Sequence, residues 1–436
     1  MPNDALTIVF MPESAYGPTN NCIGIGSVLR ERGHRVVFAA EASWKGRLEP
    51  LGFEEDLVDL APPDPNATEQ DAGQFWTDFV IETAPEFRKP TIEQLATFIE
   101  PVWASLIDGA RYCEPQLQAI LDRARPDVIV EDNVNCFPAL MTNDAPWVRI
   151  MSCNPLELRD PDLPPTFSGY PIADRSGWAG FDAEVERTHR ATWEKYDAFV
   201  REQGAPGLPD LGFIHESADL NLYVYPEAAD YPRSRPPAPT WHRLESSVRE
   251  TEDPWDVPEE LRGRDGALIY LSLGSLGSAD VDLMRRLVGA FAGTPHRFVV
   301  SKGPRADEFD LPDNMVGAAR LPQTSIIPQV DLVITHGGNN TTTEALHFGK
   351  PMVLLPLFWD QYDNAQRMDE LGFGIRLATY EAEDAELRDA VDRLLADTDL
   401  RARMAANGER IRAADGKRVA ADLIEGLGRR PRDGGR

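Results

Sequence analysis

Apolar and polar positions near the start of the chain follow the pattern of an α/β unit. An apolar run at residues 6–10 (LTIVF) precedes a stretch with helical spacing that ends at Arg32-Gly33, and residues 35–40 (RVVFAA) form the next apolar run. Continuous apolar runs are typical of strands buried on both faces, and glycine commonly ends a helix. This order of strand, helix and strand predicts a parallel sheet covered by helices.

The same pattern recurs along the chain in two series. Apolar runs at residues 126–130 and 147–151 continue the first series, and runs at 267–273, 297–300, 331–335 and 351–355 form a second. A proline-rich, charged stretch at 226–266 separates them. We therefore expect a first α/β domain at 1–225, a linker at 226–266, a second α/β domain at 267–426 and a disordered basic tail at 427–436.

Charge and composition narrow the range of partners. The 44 Lys and Arg against 72 Asp and Glu give a net charge of −28, which disfavours nucleic acid and anionic lipid. No apolar run is long enough to span a bilayer, so we expect no integral membrane contact. The four cysteines are widely spaced without a C-x-x-C pair, which is typical of reduced thiols in a cytoplasmic protein. Nothing in the sequence indicates an oligomeric state.

The most informative local pattern is residues 331–351, which read DLVITHGGNNTTTEALHFGKP. A strand runs into Gly337 and Gly338 and then into a helix predicted to start near Thr341. The free N–H groups and the dipole of a helix start favour phosphate, and the imidazole of His336 can add a donor. The alternative is a simple turn in which Thr341 caps the helix and Glu344 completes a capping box.

Flanking motifs favour the phosphate-binding interpretation. The segment is preceded by LPQ at 321–323 and followed by PLFWDQYDNA at 356–365. In this order the three motifs resemble the donor-binding signature of the UDP-glycosyltransferases and macrolide glycosyltransferases. The resemblance implies an α/β GT-B fold, with two Rossmann-like domains facing each other across a cleft. It also implies an enzyme that transfers a sugar from a nucleotide-sugar to a small-molecule acceptor.

The resemblance assigns a role to each matching residue of the donor site. His336, Gly338, Asn340 and Thr341, together with Ser275, would bind the diphosphate, and Glu344 would accept hydrogen bonds from the ribose hydroxyls. Leu321 and Gln323 would flank the base, while Asp360 and Gln361 would hold hydroxyls of the transferred sugar. Two positions depart from the family pattern: an aromatic residue that stacks on the base is Arg320 here, and a tryptophan is Asn339. A guanidinium can also stack on a base.

The catalytic histidine of the resembling family is missing. Its position falls on Pro18, although the aspartate that orients it falls on Asp132. Without a strong base the acceptor must be acidic: at pH 7 a phenol costs about 4 kcal/mol to ionise, an aliphatic alcohol about 12 kcal/mol. Alternatively Asp132, or less favourably Glu13, acts directly as the base after burial raises its pKa. Asp132 could also be merely solvated or a helix cap.

Aromatic residues in the first domain suggest where an acceptor binds. The stretch 75–103 is rich in Phe and Trp, and Phe75 and Trp76 are the best candidates for a lipophilic pocket, whereas helical core packing accounts for most of the others. No H-E-x-x-H or P-loop motif is present, and the glycines at 24–26 lack the third glycine of a dinucleotide fingerprint. We therefore expect no cofactor and no metal.

Together these features predict an inverting, metal-independent glycosyltransferase. UDP is the expected nucleotide because Glu344 suits a ribose with both hydroxyls, and Gln361 favours glucose as the sugar. The acceptor is expected to be small, lipophilic and phenolic. Two alternatives remain at this stage: a catalytically weak relative that only binds a nucleotide-sugar, indicated by Pro18, and a nucleotide-sugar epimerase on the same fold.

Overall fold

A computed structural model describes residues 5–62 and 81–431, and it contains two parallel sheets. Phe75 and Trp76 lie outside the described residues. The first sheet has the order β3-β2-β1-β4-β5-β6-β7. Its strands are β1 (Thr7–Pro12), β2 (Arg35–Phe38), β3 (Glu54–Glu55), β4 (Val128–Asp132), β5 (Trp147–Met151), β6 (Leu220–Val224) and β7 (Trp241–Leu244).

The second sheet has the order β10-β9-β8-β11-β12-β13, and all its strand pairs are also parallel. Its strands are β8 (Leu268–Ser272), β9 (Arg297–Ser301), β10 (Met315–Ala318), β11 (Leu332–Thr335), β12 (Met352–Leu354) and β13 (Gly374–Arg376). The two parallel α/β domains expected from the apolar pattern are thereby confirmed.

Helices cover both sheets. Those of the first half are α1 (Tyr16–Glu31), α2 (Thr91–Gln94), α3 (Glu100–Ala124), α4 (Pro138–Thr142) and α5 (Trp178–Glu202). Those of the second half are α6 (Gly274–Gly277), α7 (Val281–Phe291), α8 (Gln323–Ile326), α9 (Asn339–His347), α10 (Gln361–Glu370), α11 (Asp384–Ala396), α12 (Thr398–Ala414) and α13 (Gly416–Gly428). Over the described ranges, none of these helices has the combination of length and apolar character that a bilayer crossing needs.

Burial on both faces explains why the strands are continuously apolar. In β1, Ile8 and Phe10 pack into the cluster under α1, while Val9 and Met11 pack into the cluster on the opposite face of the sheet. Because successive side chains of a strand point to opposite faces, both sets must be apolar. The order of strands reverses beside β1 and beside β8, and ligands in such sheets bind outside the carboxyl ends at these reversals.

Two segments differ from the expected domain boundaries. Part of the expected linker, Trp241–Leu244, forms β7 at the edge of the first sheet and pairs with β6. The last helix, α13, packs against the first domain: Ala420, Ile424 and Leu427 share a core cluster with Ile8. Residues 416–426 therefore lie apart from the rest of the expected 267–426 domain. The helix continues to Gly428, so the first two residues of the expected tail are helical.

Polar groups of α10 and β13 join the two domains. The carboxylate of Asp363 accepts hydrogen bonds from the backbone N–H groups of Phe167 (2.6 Å) and Gly169 (2.8 Å). The guanidinium of Arg376 donates to the carbonyl of Gly169 at 2.7 Å, and the side chain of Asn154 donates to Asn364 at 2.8 Å. These bonds hold the carboxyl ends of the two sheets close together.

The packing of α13 predicts that its buried face stabilises the first domain. Ile424→Ala should lower the free energy of unfolding by about 2–5 kcal/mol, since Ile424 is fully buried against the first sheet. Val419→Ala, at a position 40% exposed on the same helix, should change it by about 0.5 kcal/mol or less. Urea unfolding followed by circular dichroism measures both. Equal midpoints for the two variants would show that α13 does not contribute to this core.

The Asp363 contacts predict a second effect on stability. Asp363→Asn keeps one acceptor oxygen but turns an N–H donor toward a backbone N–H, so stability should fall by about 1–3 kcal/mol. Asp389→Asn, which removes only an exposed ion pair on α11, is the matched control and should be near neutral. Thermal unfolding and the rate of proteolysis between the domains measure the difference. If Asp363→Asn unfolds and is cleaved like the control, these bonds do not hold the domains together.

Candidate functional site

The loop after β11 leads directly into α9. The helix starts at Asn339 with Gly338 as its N-cap and has no side-chain cap, so Thr341 lies inside the first turn. The alternative in which Thr341 caps the helix is therefore wrong, as is the predicted start near Thr341. Helix starts leave their first N–H groups without partners in the helix. The start of α9 thus presents backbone donors at the carboxyl end of β11.

His336 lies at this helix start with its ring enclosed by glycines. A Cβ atom added at Gly338 would lie 2.5 Å from Nε2 of His336, and one added at Gly274 would lie 2.7 Å from Cε1. Only glycine leaves room for the ring at both positions. Burial lowers the pKa of His336 to about 4, so the imidazole is neutral at pH 7. It can offer a hydrogen bond to a phosphate oxygen but no positive charge.

Glu344, the residue expected to meet the ribose, is already surrounded by donors. Its Oε1 accepts from the guanidinium of Arg249 at 2.7 Å and from the amide of Asn340 at 2.9 Å, and its Oε2 accepts from the amide of Gln323. Gln323 in turn accepts a hydrogen bond from the hydroxyl of Tyr270 at 3.1 Å. The structure thus brings Glu344, Asn340 and Gln323 together, and it adds Arg249.

Asp360 and Gln361, at the start of α10, use part of their polar groups within the protein. Oδ2 of Asp360 accepts from the backbone N–H of Asn154 at 2.9 Å, and Oε1 of Gln361 accepts from the N–H of Leu357 at 3.0 Å. Burial raises the pKa of Asp360 to about 7, although the Asn154 bond acts in the opposite direction. Both side chains lie at the carboxyl end of the second sheet, beside the first domain.

The remaining donor-site candidates lie around the same end of the second sheet. Ser275 is exposed in the short helix after β8, and Leu321 is half-buried just before α8. Arg320 reaches across the cleft: its guanidinium lies 5.3 Å from the ring centroid of Tyr16 in the first domain. The guanidinium of Arg320, which was expected to stack on the base, therefore lies over the ring of Tyr16.

On the side of the first domain, a cavity lies at the ends of β1, β4 and β5. Its volume is about 10 Å³, room for about one water molecule, and its lining includes Glu13, Pro18, Asp132, Ser152 and Cys153. Pro12 and Asp132 are paired neighbours in the sheet, which places Glu13 beside Asp132. The two candidate bases and the proline at the position of the missing histidine thus face one cavity.

Asp132 is oriented by one partner and leaves one oxygen free. It is 2% exposed, and its Oδ1 accepts from the hydroxyl of Ser152 at 2.8 Å, while Oδ2 has no hydrogen-bond partner among residues 5–62 and 81–431. Burial raises its pKa well above the usual range, and the neighbouring carboxyl of Glu13 raises it further. Burial also raises the pKa of Glu13, to about 7. Asp132 is the last residue of β4, so it is neither solvated nor a helix cap.

The three residues after β5 connect the two halves of the site. Ser152 binds Asp132 through its hydroxyl, and its carbonyl accepts from the amide of Asn339 at 2.7 Å. Asn154 binds Asp360. Sequence reasoning missed Ser152 and Asn154, although their place after a parallel strand is a usual signal of a site. It also missed Arg249, which lies in a stretch without periodicity.

Known proteins resemble this chain in sequence. Residues 285–425 match the family described as "Erythromycin biosynthesis protein CIII-like, C-terminal domain". The NDP-glycosyltransferase YjiC of Bacillus licheniformis is 33% identical over 424 residues, which cover 94% of this chain and 95% of that protein. The oleandomycin glycosyltransferase of Streptomyces antibioticus is 24% identical over 426 residues, covering 94% and 88%.

Solved structures share the architecture of both domains. The glycotransferase of kitacinnamycin superimposes with a TM-score of 0.69 at 22% identity, covering 97% of this chain and 99% of that one. The glycosyltransferase VinC, solved in complex with dTDP, gives a TM-score of 0.63 at 18% identity, covering 97% and 100%. At these identities the likeness establishes the fold, which is GT-B.

The YjiC match extends over nearly the whole of both proteins, well beyond the C-terminal half that carries the donor motifs. The expected family, fold and enzyme class are therefore confirmed. This chain belongs to the family of macrolide and NDP-glycosyltransferases, which are sugar-transferring enzymes with the GT-B fold.

Proposed function

We propose that this enzyme transfers a sugar from a UDP-sugar to a small, lipophilic phenolic acceptor with inversion of configuration, using Asp132 as the base. One observation carries the proposal: Asp132 lines the cavity beside Pro18, and its buried Oδ2 has no hydrogen-bond partner among the described residues. The loop that orients Asp132 also contacts the start of α9, where the nucleotide diphosphate is proposed to bind. A base and a leaving-group site are thus linked through Ser152.

The donor half of the proposal rests on α9 and Glu344. The unpaired N–H groups at the start of α9, with the neutral imidazole of His336, would stabilise charge on the leaving diphosphate. UDP is proposed because a carboxylate suits a ribose with two hydroxyls, whereas dTDP offers one fewer. Glucose is proposed from Gln361. Asp360 would hold the sugar through its remaining lone pairs. No metal or cofactor is part of this proposal.

A phenolic acceptor is proposed because Asp132 is a weak base. The acceptor oxygen attacks the anomeric carbon on the face opposite the diphosphate, and its proton passes to Oδ2 of Asp132. A carboxylate of raised pKa is still a weaker base than a phenolate, but the gap is far smaller than for an alkoxide: ionising a phenol at pH 7 costs about 4 kcal/mol and an alcohol about 12 kcal/mol. The absence of histidine at Pro18 therefore favours phenols.

Pro18 also favours one other function, a protein that binds a nucleotide-sugar without transferring it. In that case Asp132 and Glu13 would be a buried acidic pair with no acceptor to deprotonate. The two functions differ in a single measurable product, the glycoside.

The choice of acceptor is tested by a pair of matched alcohols. With UDP-glucose, the enzyme should glycosylate the phenol 5,6,7,8-tetrahydro-2-naphthol with a kcat/KM at least about 100-fold above that for its isomer, the alcohol 1,2,3,4-tetrahydro-2-naphthol, because the two differ mainly in the acidity of the hydroxyl. Chromatography of the glycoside and release of UDP measure both reactions, and NMR of the product shows inversion. Comparable rates for the two acceptors would refute the acidity argument, and UDP binding without any glycoside would favour the binding-only function.

The pH dependence identifies the base. Because burial raises the pKa of Asp132, its basic form appears at a higher pH than that of an ordinary aspartate, so kcat/KM should rise with pH above the usual aspartate range. Asp132→Asn should lower kcat/KM by about 10²–10⁴-fold. Glu13→Gln removes the neighbouring negative charge, which lowers the pKa of Asp132 and moves the acidic limb to lower pH. Loss of activity in Glu13→Gln with activity retained in Asp132→Asn would assign the base to Glu13.

A further inference from the structure

Arg249 reaches the donor site from the stretch between the domains. Its guanidinium forms ion pairs with Glu344, at 2.7 Å, and with Glu252, and its side chain is 8% exposed. The side chain of Glu344 is 1% exposed. Arg249 therefore covers the carboxylate and supplies the positive charge that a buried carboxylate needs.

A second contact fixes Arg249 in place. Glu252, its other partner, accepts hydrogen bonds from the backbone N–H of Thr324 at 2.6 Å and from the hydroxyl of Thr324 at 2.8 Å. Thr324 follows Gln323 in α8. Residues 249–252 are thus attached to the second domain at both ends of a short bridge, one at α9 and one at α8.

The two oxygens of Glu344 are not equivalent. Within the part of the chain that the structure describes, Oε1 accepts from Arg249 and Asn340, while Oε2 accepts from Gln323 alone. Gln323 is only half-buried, and an ionised carboxylate has about four acceptor positions. A nucleotide can therefore displace the amide of Gln323 from Oε2 and offer two ribose hydroxyls there, without disturbing the bonds at Oε1.

We propose that Arg249 is a specificity-determining positioning residue: by holding Oε1 of Glu344, it keeps Oε2 aimed at the ribose, so that the enzyme prefers a ribonucleotide to its 2′-deoxy form. This inference rests on the proposed function in taking UDP as the donor nucleotide. Arg249 itself is not in contact with the nucleotide in this arrangement. It acts through Glu344.

The electrostatics explain why a neutral side chain cannot replace Arg249. Burial raises the pKa of Glu344, and the positive charge of Arg249 is the largest influence that lowers it again. Without that charge Glu344 tends to take up a proton, and a protonated carboxyl loses acceptor positions. The hydrogen bond to the 2′-hydroxyl would then weaken, while contacts to the base and the diphosphate would remain.

The test compares UDP with 2′-deoxy-UDP by isothermal titration calorimetry, without acceptor. Wild type should bind UDP at least about 10-fold more tightly, as expected for one hydrogen bond to a charged group. In Arg249→Met this preference should fall to about threefold or less, with the affinity for 2′-deoxy-UDP little changed. Arg249→Lys, which keeps the charge, should retain most of the preference.

Arg243→Met is the matched control. Arg243 lies in β7 of the first sheet and also pairs with carboxylates, among them those of Glu227 and Glu245, yet it does not contact Glu344. The Arg243→Met variant should prefer UDP to 2′-deoxy-UDP as strongly as wild type does. If Arg249→Met keeps the preference, or weakens both nucleotides equally, Arg249 has only a structural role. Should Arg249→Met fail to fold, Arg249→Gln provides the neutral variant.

The binding test and the transfer test fail in different ways. Calorimetry needs no acceptor and no turnover, so an enzyme that forms no glycoside can still show the expected preference, which supports the role of Arg249. A wild type that forms glycosides but binds both nucleotides equally overturns the role of Arg249 and leaves sugar transfer intact.

Discussion

The burial of carboxylates between the facing ends of two parallel sheets is the constraint on which the rest of this structure depends. A carboxylate removed from water is costly unless donors surround it, and in a closed cleft those donors must come from neighbouring elements. Asp363 accepts hydrogen bonds from two backbone N–H groups of the first domain, and Asp360 accepts one from the backbone N–H of Asn154. Glu344 accepts a hydrogen bond from the guanidinium of Arg249, which belongs to the stretch between the domains. The same groups that close the cleft are therefore the groups that shape the site.

This arrangement ties the two half-sites together mechanically. Residues 152–154 bind the carboxylate of Asp132 on one side and Asn339 and Asp360 on the other. Asn339 stands where the family has a tryptophan, and its amide reaches across the cleft to the carbonyl of Ser152. A shift of α9 on donor binding would therefore move Asp132 through two hydrogen bonds, that of Asn339 to Ser152 and that of Ser152 to Asp132. The asparagine that replaces this tryptophan therefore belongs to the hydrogen-bond chain that leads through Ser152 to Asp132 beside Pro18.

The sequence predicted what depends on local pattern and missed what depends on remote partners. Strands such as β8 are continuously apolar because both faces are buried, so their positions were predictable. The start of α9 was misplaced because Thr341 and Glu344 have the spacing of a capping box, whereas the structure uses Glu344 to hold Arg249. The packing of α13 on the first domain could not be predicted, since an amphipathic helix does not specify which sheet it covers. Arg249 carried no local signal either.

A net charge of −28 at first sight conflicts with an anionic donor. Salt screens the repulsion from distant surface charges beyond about 8 Å at physiological ionic strength, whereas dipoles in a water-poor cleft act at contact distance with little screening. The charge of Arg249 is balanced by Glu344 and Glu252, and His336 is neutral. The proposed diphosphate site therefore relies on backbone N–H groups more than on cations. Such a site can attract phosphate even though the rest of the surface is acidic.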